Sequence, residues 1–333
     1  MYRSTGAPRQ VVLRVRPATD ADLPQVLDIG RAVFPDFQET PEEYREFEAR
    51  LGVGGYTNVH TVAETESGLV VGHCRFHHMP GQFRPTRYHV AIFVRPDWQG
   101  RGVGRALYAH ALTDLSARGA RELQSFARET MPEAVAFLER RGFRATMRTW
   151  ETRLDLARFD PAPFARYLDR AREAGVTVTT LANERAHDTG ALRRAYALHN
   201  AVLADIPSPI PFTPPSFEHF LKSRVESVRA LLDAYFLAKV GDEYVGEANV
   251  ERPAIGAHLV HNVTGVLPAY RGRGIAMALK LATIAYGRAR GYAEIRTWND
   301  SRNTGMLAIN DRLGFVRQPA WLTFEAVLSP EAA

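Results

Sequence analysis

At 333 residues, with 45% hydrophobic and 24% charged residues, the chain has the balance of a globular protein and the length of two ordinary domains. No stretch approaches the roughly 18 apolar residues of a membrane span, and a single cysteine, Cys74, excludes an internal disulfide and a cysteine-based zinc cluster. The net charge of +5 comes without a block of basic residues, which favours scattered arginine or a polyanionic ligand over a nucleic-acid surface.

The segment Met1 to Arg14 is basic but has no apolar core, so the expectation is a cytoplasmic protein without a secretory signal. Strand patterning at 11–16 leads through Thr19 and Asp20, both capping residues, into a helix at 23–33 and a second at 42–50. Strands follow at 59–64, 69–76 and 87–94, then an amphipathic helix at 102–118 closed by Gly119. A strand at 123–127, a helix at 132–140 and a strand at 148–154 complete a first domain over 11–157. Residues 158–175 read as a linker with a short charged helix. A second domain over 176–329 repeats the order: strand 176–181, helices 192–203 and 216–226, strands 234–239, 244–250 and 258–266, helix 274–290, strand 294–298, helix 303–312 and strand 321–327. The proline-rich run 206–215 excludes helix and central strand and reads as a loop. The pattern is α+β with a mostly antiparallel sheet in each half.

The two halves are copies. A shift of 172 residues carries Gln99-Gly100-Arg101-Gly102-Val103-Gly104 onto Arg271-Gly272-Arg273-Gly274-Ile275-Ala276, and Gly142-Phe143 onto Gly314-Phe315, without a gap. Upstream, Val71-Gly72 matches Val245-Gly246 with a shift of 174. The period far exceeds that of a solenoid, so whole domains are duplicated. Each Gly-Arg-Gly turn follows a strand ending in Val-x-Pro and opens a long helix. Glycines let the backbone approach a ligand, and N–H groups at the positive end of the helix dipole make an anion site. Neither copy has the Lys-Ser/Thr of a phosphate-binding P-loop, nor the sixth-place glycine of a dinucleotide fingerprint. A tight turn without ligand is the alternative for one copy alone; recurrence in the same context argues against it.

Gln99-x-x-Gly102-x-Gly104 and Arg271-x-x-Gly274-x-Ala276, with Gly-Phe downstream of each, resemble the pyrophosphate motif of the GNAT acetyltransferases. The resemblance implies two tandem GNAT-like domains, each a mixed sheet with a splayed central strand flanked by helices. It implies acetyl-CoA as cosubstrate and no metal. The strand ends Ile92-Phe93-Val94 and Thr264-Gly265-Val266 would hold the pantetheine arm, and the turns 99–104 and 271–276 the pyrophosphate. The implied chemistry is direct attack of an amine on the thioester in a ternary complex, with a small-molecule amine as the other partner.

The halves then differ. Where the family often has Asn at the start of the last helix, the first half has Met131 and the second Asn303. Where it often has Tyr, they have Leu138 and Asn310. Asn303 and Asn310 share a helix face and, with Asn299, could hold the cofactor; helix capping is the alternative for Asn303. Glu247, after Gly246 in the central strand, is the candidate general base, with His261, Asp205 and Glu251 as lesser candidates. The second half is therefore expected to carry catalysis. His73, His77 and His78 lack a carboxylate cluster, so a surface role is expected rather than a metal site. The proline-rich loop and the segment 34–41 are expected to shape the acceptor pocket. Loss of the tyrosine from both halves leaves a second class open, a catalytically silent acyl-CoA-binding sensor or structural pseudoenzyme.

Overall fold

The structure, a computed structural model, describes residues 12–36, 38–206, 208 and 210–328. Residues 1–11, Phe37, Pro207, Pro209 and 329–333 lie outside the described residues; they include most of the basic N-terminus, both outer domain bounds and two prolines of the 206–215 loop.

The first half contains β1 (Leu13–Pro17), α1 (Leu23–Val33), α2 (Pro41–Val53), β2 (Asn58–Thr65), β3 (Val70–His77), β4 (Arg87–Val94), α3 (Val103–Ala117), β5 (Glu122–Arg128), α4 (Pro132–Glu139) and β6 (Arg144–Asp155). A linker helix, α5 (Ala165–Glu173), leads to β7 (Val176–Thr180), α6 (Leu181–His187), α7 (Ala191–Ala204) and α8 (Phe217–Phe220). Then come β8 (Ala230–Val240), β9 (Glu243–Glu251), β10 (His258–Val266), α9 (Ile275–Ala289), β11 (Glu294–Asp300), α10 (Thr304–Leu313), β12 (Val316–Arg317) and β13 (Trp321–Val327). The helix expected at 216–226 is one α-turn, α8, followed by a π-helical turn at Leu221–Val225.

All the strands form one sheet in the order β1-β2-β3-β4-β5-β13-β6-β11-β10-β9-β8-β7, with β12 beside β6. Only β4–β5 and β10–β11 run parallel. The last strands change places between the halves. Strand β13, from the second half, lies between β5 and β6. The far end of β6, from the first half, pairs with β11. Packing follows the exchange: Phe324 and Ala326 of β13 are buried in the first-half core with Leu107, Leu115 and Leu123. Leu154 of β6 is buried in the second-half core with Leu259, Ile284 and Ile295. The linker thus divides the halves along the chain, while in space each supplies a strand to the other.

The α+β class, the duplication and the splay match the sequence. In the first half β4 pairs with β5 only over Arg87–His89, and in the second β10 pairs with β11 only over His258–His261. Beyond those residues the strands part, which opens a cleft at Ile92–Val94 and at Thr264–Val266. Helix α2 starts at a capping box: Thr40 N–H donates to Glu43 Oε2 at 2.9 Å, and Glu43 N–H donates to Thr40 Oγ1 at 3.3 Å. The other Glu43 oxygen accepts from Ala254 N–H at 3.0 Å, so the cap also ties the halves together.

Candidate active site

Both Gly-rich turns have the same backbone. Gly100 and Gly102 have φ of 74° and 90°, Gly272 and Gly274 of 75° and 83°, a region that a side chain would strain. The residue that opens each turn closes it onto the strand behind: Gln99 Nε2 donates to the Val94 carbonyl, and Arg271 Nε to the Val266 carbonyl, each at 3.1 Å. Helices α3 and α9 begin directly after the second glycine. Their first N–H groups have no intrahelical partner and face the same concavity.

What surrounds the turns differs. In the first half a chamber of about 1170 Å³ is lined by Ile92, Phe93, Val94, Gln99, Gly100, Gly102 and Gly104. Arg105, Arg140 and Arg141 line the same end, positive charge suited to phosphates. Arg101 lies over the Trp98 ring at 5.2 Å, and Val103 is buried in the core. The chamber runs along the splay past His89 and Ser125 to a far end between the halves, lined by Phe34, Glu39, Tyr44, Arg229, Trp298 and Trp321. Trp321 is there because β13 has crossed over.

At the point of splay Nδ1 of His89, which lines the chamber, is buried without a hydrogen-bond partner. A ligand's polar group would satisfy it. At the far end, Glu39 is half-buried and has no ion pair or hydrogen bond among the described residues. Burial pushes its carboxyl up, with the Arg75 charge opposing.

In the second half the corresponding space is filled. A Cβ on Gly265 would meet Val202 Cγ1 of α7 at 2.1 Å. The 172-residue shift carries Phe93 onto Gly265, so a large side chain stands in the first half where the second has none. In the first half Gly30 of α1 lines the chamber, and a Cβ there would have nothing within 4 Å. The second turn is covered: the Tyr167 carbonyl of α5 lies 3.1 Å from the place of a Gly274 Cβ, and Arg312 donates to Tyr167 Oη at 3.0 Å. Arg271 pairs with Asp205. Arg273 reaches the Ala269 carbonyl at 3.2 Å, and Ile275 is buried in the core.

Of the second-half candidates, Glu247 and Asn310 are fully buried, while Asn299 and Asn303 are partly exposed. Glu247 is fully buried, accepting from the Tyr235 hydroxyl and bonded to His199 Nδ1 at 2.8 Å. Asn303 caps α10, its side chain accepting from Met306 N–H at 3.2 Å. Asn310 Nδ2 donates to Asn299 Oδ1 at 2.7 Å, while Asn310 Oδ1 is buried without a partner. Beside them Lys280 is fully buried with Nζ 4.9 Å from the Phe315 ring, and burial pushes its pKa down to about 7. His261 lies near Lys280 and is held well below its ordinary value by burial and that charge.

Two expectations are corrected. His73, His77 and His78 are buried rather than at the surface, because β3 is covered on both faces and aromatic rings pack on them. The proline-rich loop does not line the chamber. It docks on the first half, with Thr213 N–H donating to the Gly81 carbonyl at 3.1 Å. The 34–41 segment does line the chamber, through Phe34, Asp36, Gln38 and Glu39. His89 was missed in the sequence, although the shift that produced the alignment carries it onto His261. Cys74 is buried in the core and its thiol is pushed up to about 12, which leaves it inert.

The acetyltransferase (GNAT) family model matches residues 23–143 and again 201–315. The chain belongs to this family. A mycothiol acetyltransferase of Tsukamurella paurometabola is 30% identical over 80% of this chain and 84% of its own length. One from Frankia casuarinae is 28% identical over 75% and 70%. Among solved structures, a tandem GNAT protein from the clavulanic acid biosynthesis pathway superposes with a TM-score of 0.68. It covers 96% of this chain and 99% of its own at 20% identity, a likeness of fold. Among the described residues of this tandem GNAT chain, no helix is long and apolar enough to cross a membrane.

Proposed function

We propose that this GNAT chain transfers the acetyl group of acetyl-CoA to the amine of a small molecule, and that the reaction takes place in the first half. One observation carries the reading: a single chamber joins the first Gly-rich turn to a carboxylate-bearing end between the halves. Acetyl-CoA supplies the activated acyl group. Gly100 to Gly104 and the N-terminus of α3 bind its pyrophosphate, assisted by Arg105, Arg140 and Arg141. Ile92 to Val94 leave backbone groups free on the splayed edge for the pantetheine amides, and His89 offers an unpartnered ring nitrogen beside them. Glu39, without an ion pair or hydrogen bond among the described residues, holds a cationic amine, and Phe34, Trp298 and Trp321 exclude water around it.

This moves the chemistry out of the second half, where Glu247, Asn303 and Asn310 were expected to supply it and Asn299 to hold the cofactor. The enclosure of Glu247 by His199 and Tyr235, the Asn310–Asn299 bond, the Asn303 cap and the Val202–Gly265 contact support a structural or cofactor-holding role there. The curated relatives are named for acetylation of mycothiol. At this identity acetyl transfer carries over, and the acceptor is read from the chamber. The test is thiol release from acetyl-CoA across a panel of small amines, with CoA binding measured beside it. Turnover with a cationic amine, reduced by Glu39→Gln chiefly through KM, supports the proposal. Binding without thiol release from any amine favours the silent sensor instead.

A further inference from the structure

The wall of the first-half chamber contains a chain of hydrogen-bonded side chains that the reaction as described does not use. His73, on β3, lines the chamber, and its ring stacks on Phe93 at 4.9 Å with the planes 2° apart. His73 Nδ1 lies 3.1 Å from His60 Nε2, and His60 Nδ1 lies 2.6 Å from the Tyr44 hydroxyl. His60 and Tyr44 in turn line a second, smaller cavity of about 60 Å³, with Asp20, Arg45 and Glu48 around it. The chain therefore runs from the chamber wall at His73 to the smaller cavity, and Tyr44 at its end lines both. The repeat places His73 where the second half has Glu247, which there is enclosed between His199 and Tyr235.

We propose that His73, His60 and Tyr44 form a proton relay that carries the proton released by the acceptor amine from the reaction chamber to water in the smaller cavity. The proposal rests on the first-half reading given above. An ammonium acceptor loses two protons as the N–C bond forms and the C–S bond breaks. The departing sulfur takes one, and the other must leave. It passes to His73 Nε2, the nitrogen not engaged with His60. The proton on His73 Nδ1 moves to His60 Nε2, that on His60 Nδ1 to the Tyr44 oxygen, and the phenol's own proton to water. Each ring ends in its opposite tautomer. Reverse passage restores the start by bringing a proton from the smaller cavity to water in the emptied chamber, so the relay accepts the amine's proton during the chemical step and returns it to solvent once the products have left.

A relay of this kind needs neutral rings, each with one donor and one acceptor nitrogen. Burial supplies that condition: it pushes His60 down to about 3 and holds His73 well below the ordinary histidine value, with Arg75 adding to both. The charged groups facing the chain are Asp20 and Asp22 before α1, Glu39 ahead of α2, Arg45 and Glu48 on α2, and Arg75 on β3. Tyr44 is held at its ring by Arg75 at 4.3 Å and is pushed above the ordinary phenol range by burial, so it transfers protons without resting as phenolate.

The experiment measures kcat, KM and CoA affinity from pH 6.5 to 9.5 for the full chain and for His60→Gln and Tyr44→Phe, using an amine selected by the thiol-release panel. Both variants are expected to lower kcat about 100-fold at pH 7, with CoA affinity unchanged. The deficit is expected to shrink to about 3-fold at pH 9.5, where an amine of pKa about 10 carries a larger neutral fraction. A deficit constant across pH means a structural role and overturns the relay. So does a wild-type rate in a folded variant. If His60→Gln does not fold, Tyr44→Phe, which removes one oxygen and keeps the ring, decides alone. Failure of the first-half reading shows itself separately, as wild-type protein that acetylates no amine or that is insensitive to changes in the first turn.

Discussion

Helix α1 beside β4 and helix α7 beside β10 stand in matching places in the two halves, and they differ in how closely they pack. The first pair leaves open space beside Gly30; in the second, Val202 is pressed onto Gly265. The glycine turn, its φ angles and its closing hydrogen bond are unchanged between copies. On the proposed reading, the copies differ by packing next to the motif rather than by loss of the motif. Counting motif residues alone would have ranked the second half as the more active.

The largest effect expected from breaking this comparison concerns stability. Phe324→Ala, in the second half by sequence, should cost about 3–5 kcal/mol and loosen the first half. Denaturant unfolding gives the size, and amide exchange should rise in β5 rather than β11. Loss of protection confined to the second half would contradict the shared core.

Next comes turnover. Gly102→Val and Gly274→Val impose the same strain at matched φ angles, so a difference between them reports which turn feeds the reaction. Gly102→Val should reduce kcat/KM about 100-fold, and Gly274→Val no more than a few-fold. The reverse ranking would return the chemistry to the second half.

The halves should also separate in acid. Burial pushes His60 and His89 down to about 3 and His77 to about 4, all in the first half; His219, in the second, is pushed to about 4. These folded-state values lie below the unfolded value, so the unfolded chain binds more protons and stability falls as pH drops below about 6.5. Each histidine contributes a slope of about 1.4 kcal/mol per pH unit until its own folded pKa is reached. Melting followed from pH 7 to 5 should show first-half exchange protection lost earlier; simultaneous loss would mean that the sheet opens as one unit.

The smallest effect sharpens the size argument. Gly30→Val should leave the melting temperature near wild type, since its side chain enters open space, while raising the acceptor KM about 10-fold, or about 1.4 kcal/mol. Unchanged KM would mean that the acceptor does not lie against α1.

Much of this was legible in the sequence because it is local. The Gly-x-Gly spacing fixes a backbone, and a period of 172 residues fixes a duplication. The strand ends where β4 and β10 part were also correctly located. What stayed hidden depends on partners far away in the chain. Asn303 reads equally as cap or ligand until Met306 N–H is seen bonded to it. Glu247 reads as a base until Tyr235 and His199 close around it. The burial of His73 depends on Phe93 and His60, and no spacing rule connects those three. The exchange of β6 and β13 left no mark, since each strand has the same alternating pattern in either location.

That exchange has a consequence for the history of the chain. After two copies had traded their last strands, deleting either one would have left a sheet with a missing rung and another with a surplus edge, each prone to pair with the wrong neighbour. Neither half can now be removed without exposing an edge of the other, and the second half forms part of the first-half chamber's wall through Trp298 and Trp321.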